Sequence, residues 1–141
     1  MTAQPMSHDP LARAGNALIR FFRALDDSDY ETMVALLDGE WHRQGKVLSD
    51  RASLLAAMQG RSTTRRIHHL LSNIGGTIAD DGEVTLTAYM LVLQHDSGAR
   101  PEGPSPMQGF SSIRTLTARI AQTDKGWQIR WLKSGPQSFA A

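Results

Sequence analysis

Hydrophobic residues in the first sixty positions recur mainly at helical spacing, whereas those after residue 64 recur at every second position. Leu11, Ala14, Leu18, Phe21, Phe22 and Leu25 fall along one helix face. Asp9 precedes that face as a cap, and Pro10 suits the first helical position. The helix is expected to stop at Asp26–Asp27. In "SDYE", residues 28 to 31, Ser28 reads as the next cap, with Glu31 reaching back to it. The short helix it opens turns Tyr30, Met33, Val34 and Leu37 inward and is expected to end at Gly39. "EWHRQGKVL" is too short and broken for a helix and reads as a small strand. A third helix, from Ser49 or Asp50 to Gly60, carries Leu54, Leu55 and Met58 on its apolar side.

The period then changes. Residues 64 to 79 read as a long strand, "ADDG" as a tight turn, and residues 83 to 95 as a second strand. Val84, Leu86, Ala88, Met90 and Val92 alternate cleanly along that strand, so one of its faces is buried. "DSGARPEGPSP", residues 96 to 106, is too rich in proline and glycine for regular structure and is expected to be mobile. Residues 108 to 122 make a third long strand, "TDKG" turns it, and Trp127, Ile129 and Trp131 alternate along a fourth. Helices followed by an antiparallel meander predict one α+β domain over residues 8–135, with flexible termini at 1–7 and 136–141. Three helices can cover only one face of such a sheet, and long strands twist. The expectation is a cone-shaped curved antiparallel sheet with a blind pocket, a form that suits small molecules.

Composition narrows the partners. Fifteen Lys and Arg against fourteen Asp and Glu leave a net charge of +1, with both signs scattered, so no nucleic-acid stripe is evident. The absence of cysteine excludes disulfides, thiolate nucleophiles and zinc–sulfur sites. "MTAQPMSHDP" has neither a basic start nor an apolar run, and no stretch approaches the ~18 apolar residues of a membrane span. A soluble cytoplasmic protein, with neither nucleic-acid nor membrane partner, is expected.

Candidate chemistry centres on "TRRIHHLLSN", residues 64 to 73. Neighbouring strand side chains point to opposite faces, so only one of His68 and His69 faces the enclosed side. Apolar residues lie on both faces, and periodicity does not say which. The available acids are Asp26, Asp27 and Asp29 in "ALDDSDY". Asp29 and Asp27 suit a helix stop and the start of the next helix. Asp26, one position past the buried stripe, is placed to look into the mouth of the cone. Adjacent strand histidines cannot chelate one ion together, so no metal site is expected. No serine stands on a glycine-flanked elbow. Trp41, Tyr30, Tyr89, Phe110, Trp127 and Trp131 read as core, some doubling as pocket wall. Arg114 and Arg119 fall on opposite faces of the third long strand, and only one can point inward.

The order of elements, "ALDDSDYETMVALLD" after a first helix, the His69-x-x-x-Asn73 strand and the closing "GWQIRWL" together resemble the nuclear transport factor two-like superfamily, in its SnoaL-like branch. That branch resembles polyketide cyclases and scytalone dehydratase. The resemblance implies a cone-shaped α+β barrel, a homodimer built sheet against sheet, and a small hydrophobic or aromatic ligand without a cofactor. In scytalone dehydratase a pocket His–Asp pair moves protons; by resemblance the histidine is His69, preceded by Arg66, and the aspartate is Asp26. Asn73 would lie deeper on the same face, with Trp41, Tyr30, Tyr89, Phe110 and Trp131 against the substrate. The chain departs from the dehydratase elsewhere. The second pocket histidine falls on Gln94, and the tyrosine beside the aspartate falls on Leu25. A further catalytic tyrosine falls in 43–45, where there is none. The same reaction is not implied, and two classes follow. One is a lyase, isomerase or cyclase using His69 and Asp26 on a cyclic or polyketide-like substrate. The other is a non-catalytic binding or structural dimer.

Overall fold

The computed structural model of the chain describes residues 9–139. Helix α1 spans Pro10–Asp26, and the Asp9 side chain accepts the Leu11 N–H at its start. Its buried face includes Leu18, Phe21, Phe22 and Leu25. Helix α2, Tyr30–Ala35, is capped by Asp29, which accepts from Thr32 N, and not by Ser28. Ser28 takes the left-handed conformation (φ 58°) and connects the two helices, its Oγ accepting from Tyr30 Oη at 3.3 Å. Helix α2 ends before Gly39, which lies inside strand β1, Leu37–Arg43. A side chain at Gly39 would overlap the backbone of Arg130. Strand β2, Lys46–Leu48, folds back on β1, and helix α3, Arg51–Gln59, opens on Asp50.

Four long strands follow: β3 (Arg65–Ile78), β4 (Val84–Asp96), β5 (Ser112–Thr123) and β6 (Gly126–Gln137). The six strands form one curved, unclosed sheet in the order β2-β1-β6-β5-β4-β3. All neighbours are antiparallel except β1 and β6, which pair in parallel. The expectation of a wholly antiparallel sheet misses this pair, because the chain returns to β1 only after the whole meander. Ile129 N donates to Leu36 O at 2.7 Å, which fastens β6 to the end of α2. The inner face holds Val84, Leu86, Leu116, Ala118, Ile120, Ile129 and Leu132 against α1. No helix among the described residues is long and apolar enough to cross a membrane.

Of the four register shifts in the sheet among the described residues, two decide which way expected site residues face. Asn73 adopts φ 53° where the β3·β4 register shifts between Ser72 and Gly75. One extra residue there inverts the alternation. Leu70 therefore faces outward while Ile74, four positions on and so of the same parity, approaches Gly15 of α1. A second shift, around Arg130, places Ile129 in the core and Trp131 opposite Arg119. The termini expected to be flexible fare differently. Residues 1–7 and 140–141 lie outside the described residues. Pro136 and Gln137 belong to β6, and Ser138 N donates to Ile113 O at 2.8 Å, so the sheet runs past the expected boundary at 135.

Candidate active site

Asp26 is the last residue of α1. A carboxylate at that end meets the negative pole of the helix, which disfavours it by about 0.3–1 kcal/mol. Two donors of His69 offset this. Oδ2 accepts the His69 backbone N–H at 2.8 Å, and Oδ1 lies 2.5 Å from His69 Nδ1. Strand β3 is a sheet edge, so the first of these bonds supplies a partner that the ladder lacks. Both side chains are nearly enclosed, His69 at 11% and Asp26 at 8% exposure. The imidazole leans on the Phe22 ring, with centroids 5.2 Å apart. An ionised carboxylate can only accept, so facing one places a proton on Nδ1, and in the neutral ring Nε2 then keeps its lone pair.

His69 lines a cavity of about 790 Å³ between α1, the β1–β2 hairpin and the inner sheet face. That volume lies within the ~300–1,000 Å³ usual for small-molecule sites. Phe22, Leu25, Trp41, Ile67, Met90 and Val92 supply its apolar wall. Trp41 is buried and meets Phe21 edge to face.

The other expected ligand contacts divide. Tyr30 does not line the cavity, but its ring faces Arg61, which does. Asn73 is exposed at the bulge, and its left-handed backbone takes it off the His69 face. Tyr89 is half-exposed on the outer face, with the opposite parity to Met90 and Val92. Trp131 is turned outward by the bulge at Arg130 and stacks under Arg119, 5.2 Å away. Phe110 lies before β5 begins and is 54% exposed. Asn73, Tyr89, Trp131 and Phe110 are therefore withdrawn as wall residues. Of the two arginines on β5, Arg114 faces the cavity, its Nη1 donating to Gly135 O at 2.9 Å. Sequence reasoning missed Arg43, Arg61 and Arg65 as lining residues, because they come from three separate elements.

A family model described as a SnoaL-like domain matches residues 13–133. No curated protein matches. Among solved structures, ActVI-ORFA from Streptomyces coelicolor is 19% identical, with 88% of this chain and 94% of that one covered at a TM-score of 0.69. Aln2 from a Streptomyces species is 17% identical, with 94% of each chain covered at a TM-score of 0.73. An NTF2-like protein with a cystatin-like fold from Novosphingobium aromaticivorans is 19% identical, with 92% and 83% covered at a TM-score of 0.71. At these identities the likeness is one of fold.

The loop that carries Arg61 is tied down by Asp96, at the end of β4. Ser62 Oγ donates to its carboxylate at 2.6 Å, Thr64 Oγ1 at 2.5 Å and Gly98 N at 3.0 Å. These bonds, from Ser62 first, hold the Asp96 carboxyl well below 3.8, at about 2. A carboxyl depressed on folding stabilises fully above its unfolded value and loses that contribution as pH falls through its folded value. The anchor is thus intact above 3.8 and is released toward about 2. A carboxyl-carbon NMR titration should show Asp96 and the Ser62 and Thr64 signals moving together in that window. A midpoint at the ordinary aspartate value would contradict the anchor.

Proposed function

The chain belongs to the SnoaL-like domain family, and from that premise we propose that it is a cofactor-independent acid–base enzyme, a lyase, isomerase or cyclase, acting on a cyclic or polyketide-like substrate. The observation that carries the reading is the Asp26 carboxylate clasping His69 from behind while the same histidine lines the cavity. A general base needs an orienting partner and a free nitrogen toward the substrate, and this pair supplies both.

In the proposed reaction His69 Nε2 removes a proton from a carbon beside a carbonyl. The electron pair moves onto the carbonyl oxygen, giving an enolate. Asp26 stabilises the imidazolium that forms, and the same ring returns the proton to a different atom or to a leaving oxygen. The apolar wall of Phe22, Trp41 and Met90 excludes water and strengthens these charge interactions. Trp41 stands as the proposed aromatic contact with substrate, and Tyr30 acts behind it through Arg61.

A binding protein without turnover is the second reading. Its support is Gln94, which lines the cavity where scytalone dehydratase would have a second histidine.

Two measurements test the proposal. In heavy water, the chain should speed deuterium incorporation at the α-carbons of 2-tetralone, a cyclic ketone, over buffer. His69→Ala and Asp26→Asn should reduce that rate by ~10²–10⁴-fold, the usual worth of a positioned acid–base group. An equal rate with His69→Ala, on a folded protein, would favour the binding reading. The proposal also includes a homodimer built sheet against sheet, supported by half-exposed Leu70 and Tyr89 on the outer face. Sedimentation at micromolar concentration should give the mass of two chains; that of one chain would remove this part.

A further inference from the structure

The cavity has a charge that the chain as a whole does not. Net charge is +1 over 141 residues, yet no Asp or Glu is among the residues lining this cavity. Arg43, Arg61, Arg65 and Arg114 all line it. The ion pairs Arg23–Asp27, His42–Glu40, Arg51–Glu31 and His69–Asp26 include no cavity arginine. Asp26 lies behind the cavity wall with both oxygens engaged by His69. Asp96, across the ladder from Arg65 and within reach of its charge, has its oxygens taken by Ser62, Thr64 and Gly98.

Three of these arginines converge. Arg43 ends β1 on the same face as Trp41, with its guanidinium 5.3 Å from that ring. Arg61 lies between α3 and β3, where its Nη1 donates to Leu25 O at 2.8 Å and to Tyr30 Oη at 3.3 Å. Arg65 opens β3 on the inner face, four positions before His69 and in line with Ile67. Burial and then the charges of Arg61 and Arg65 push the Arg43 guanidinium below its ordinary value, so the three share one electrostatic neighbourhood. A solvated rim would keep every guanidinium nitrogen wet. Arg61 Nε is instead shut off from solvent and has no hydrogen-bond partner. Like charges brought together and partly desolvated oppose folding unless an anion relieves them. Arginine is also the side chain whose planar fork matches a carboxylate or phosphate with paired bonds.

We propose that the ligand of this cavity is an anion, carrying a carboxylate, phosphate or sulfonate group seated among Arg43, Arg61 and Arg65 with its apolar body extending toward His69. Leu25, whose carbonyl Arg61 grips, is the residue before Asp26, so the anion seat and the His–Asp pair are mechanically joined. An anion held there fixes which carbon of the body meets Nε2. The inference deepens the acid–base reading and rests on it only for what happens at His69; the arginines would hold an anion equally in a cavity that merely binds.

The test compares 2-naphthoate with methyl 2-naphthoate, which share their rings and differ in charge, by calorimetric titration of the full chain. At low salt the naphthoate should bind at least about tenfold more tightly, a difference of ~1.4 kcal/mol. That preference should shrink as salt rises, because screening shortens to ~10 Å at 0.1 M. Arg43→Gln combined with Arg65→Gln should abolish it. Neither side chain makes a hydrogen bond within the described residues, so the double variant is expected to fold, and circular dichroism checks this. Arg119→Gln, on the outer face, should leave it unchanged. Equal affinity for the two probes, no binding of naphthoate at millimolar concentration, or a preference that survives in the folded double variant would overturn the proposal. Loss of 2-tetralone exchange with the naphthoate preference intact would instead remove only the acid–base reading.

Discussion

A carboxylate has two oxygens, and β3 offers Asp26 two donors on a single residue, the backbone N–H and the ring Nδ1 of His69. One oxygen closes a sheet edge; the other sets an imidazole. Helix α1, strand β3 and the cavity are therefore positioned by the same group. The unfavourable placement of Asp26 at a helix C-terminus is tolerated because both bonds form where water is largely excluded. The packing around it follows. Phe22 and Leu25, the last apolar residues of α1, reach the cavity beside the pair. Toward the start of the helix, Ile74 packs over Gly15.

The legible parts of the fold were those with local causes. Asp9 caps the first helix as expected, Asp50 proves the cap of the third where Ser49 was the alternative, and Val84 to Val92 bury alternate residues over a whole strand. Tyr89 sits between members of that stripe, so its outward orientation was legible too, although its aromatic ring suggested a pocket wall. Asn73 and Trp131 were not legible in this way. Each lies at or beyond a bulge, and one added residue inverts every face after it. Asparagine tolerates the left-handed conformation, which is a hint at residue 73; nothing comparable marks Arg130. The parallel pairing of β1 with β6 depends on contacts between residues about ninety positions apart, such as Gln128 Nε2 with Ala35 O, and local pattern carries no such information.

The candidate site shows the same division. The proximity of His69 and Asp26 came from a family resemblance, and the residues alone left His68 and His69 open. The arginines were hidden by arithmetic: a balanced total conceals a cavity whose lining has one sign. Arg43, Arg61 and Arg65 look unrelated along the chain and become neighbours only when the β1–β2 hairpin and the start of β3 meet. On the proposed reading, a basic mouth above an apolar wall would draw an anion inward and orient it, and the His–Asp pair would act on the carbon presented. The two features would then answer different questions, which group is recognised and which atom is changed.

If Asp26 fixes the ring of His69, the neutral imidazole carries its proton on Nδ1. A long-range proton–nitrogen correlation spectrum of the histidine rings, recorded where they are neutral, reads that tautomer directly. His69 should show its proton on Nδ1 with Nε2 bare, and Asp26→Asn should disturb this form while His68 is unaffected. A neutral His69 protonated on Nε2, with Nδ1 bare, would contradict that role of Asp26.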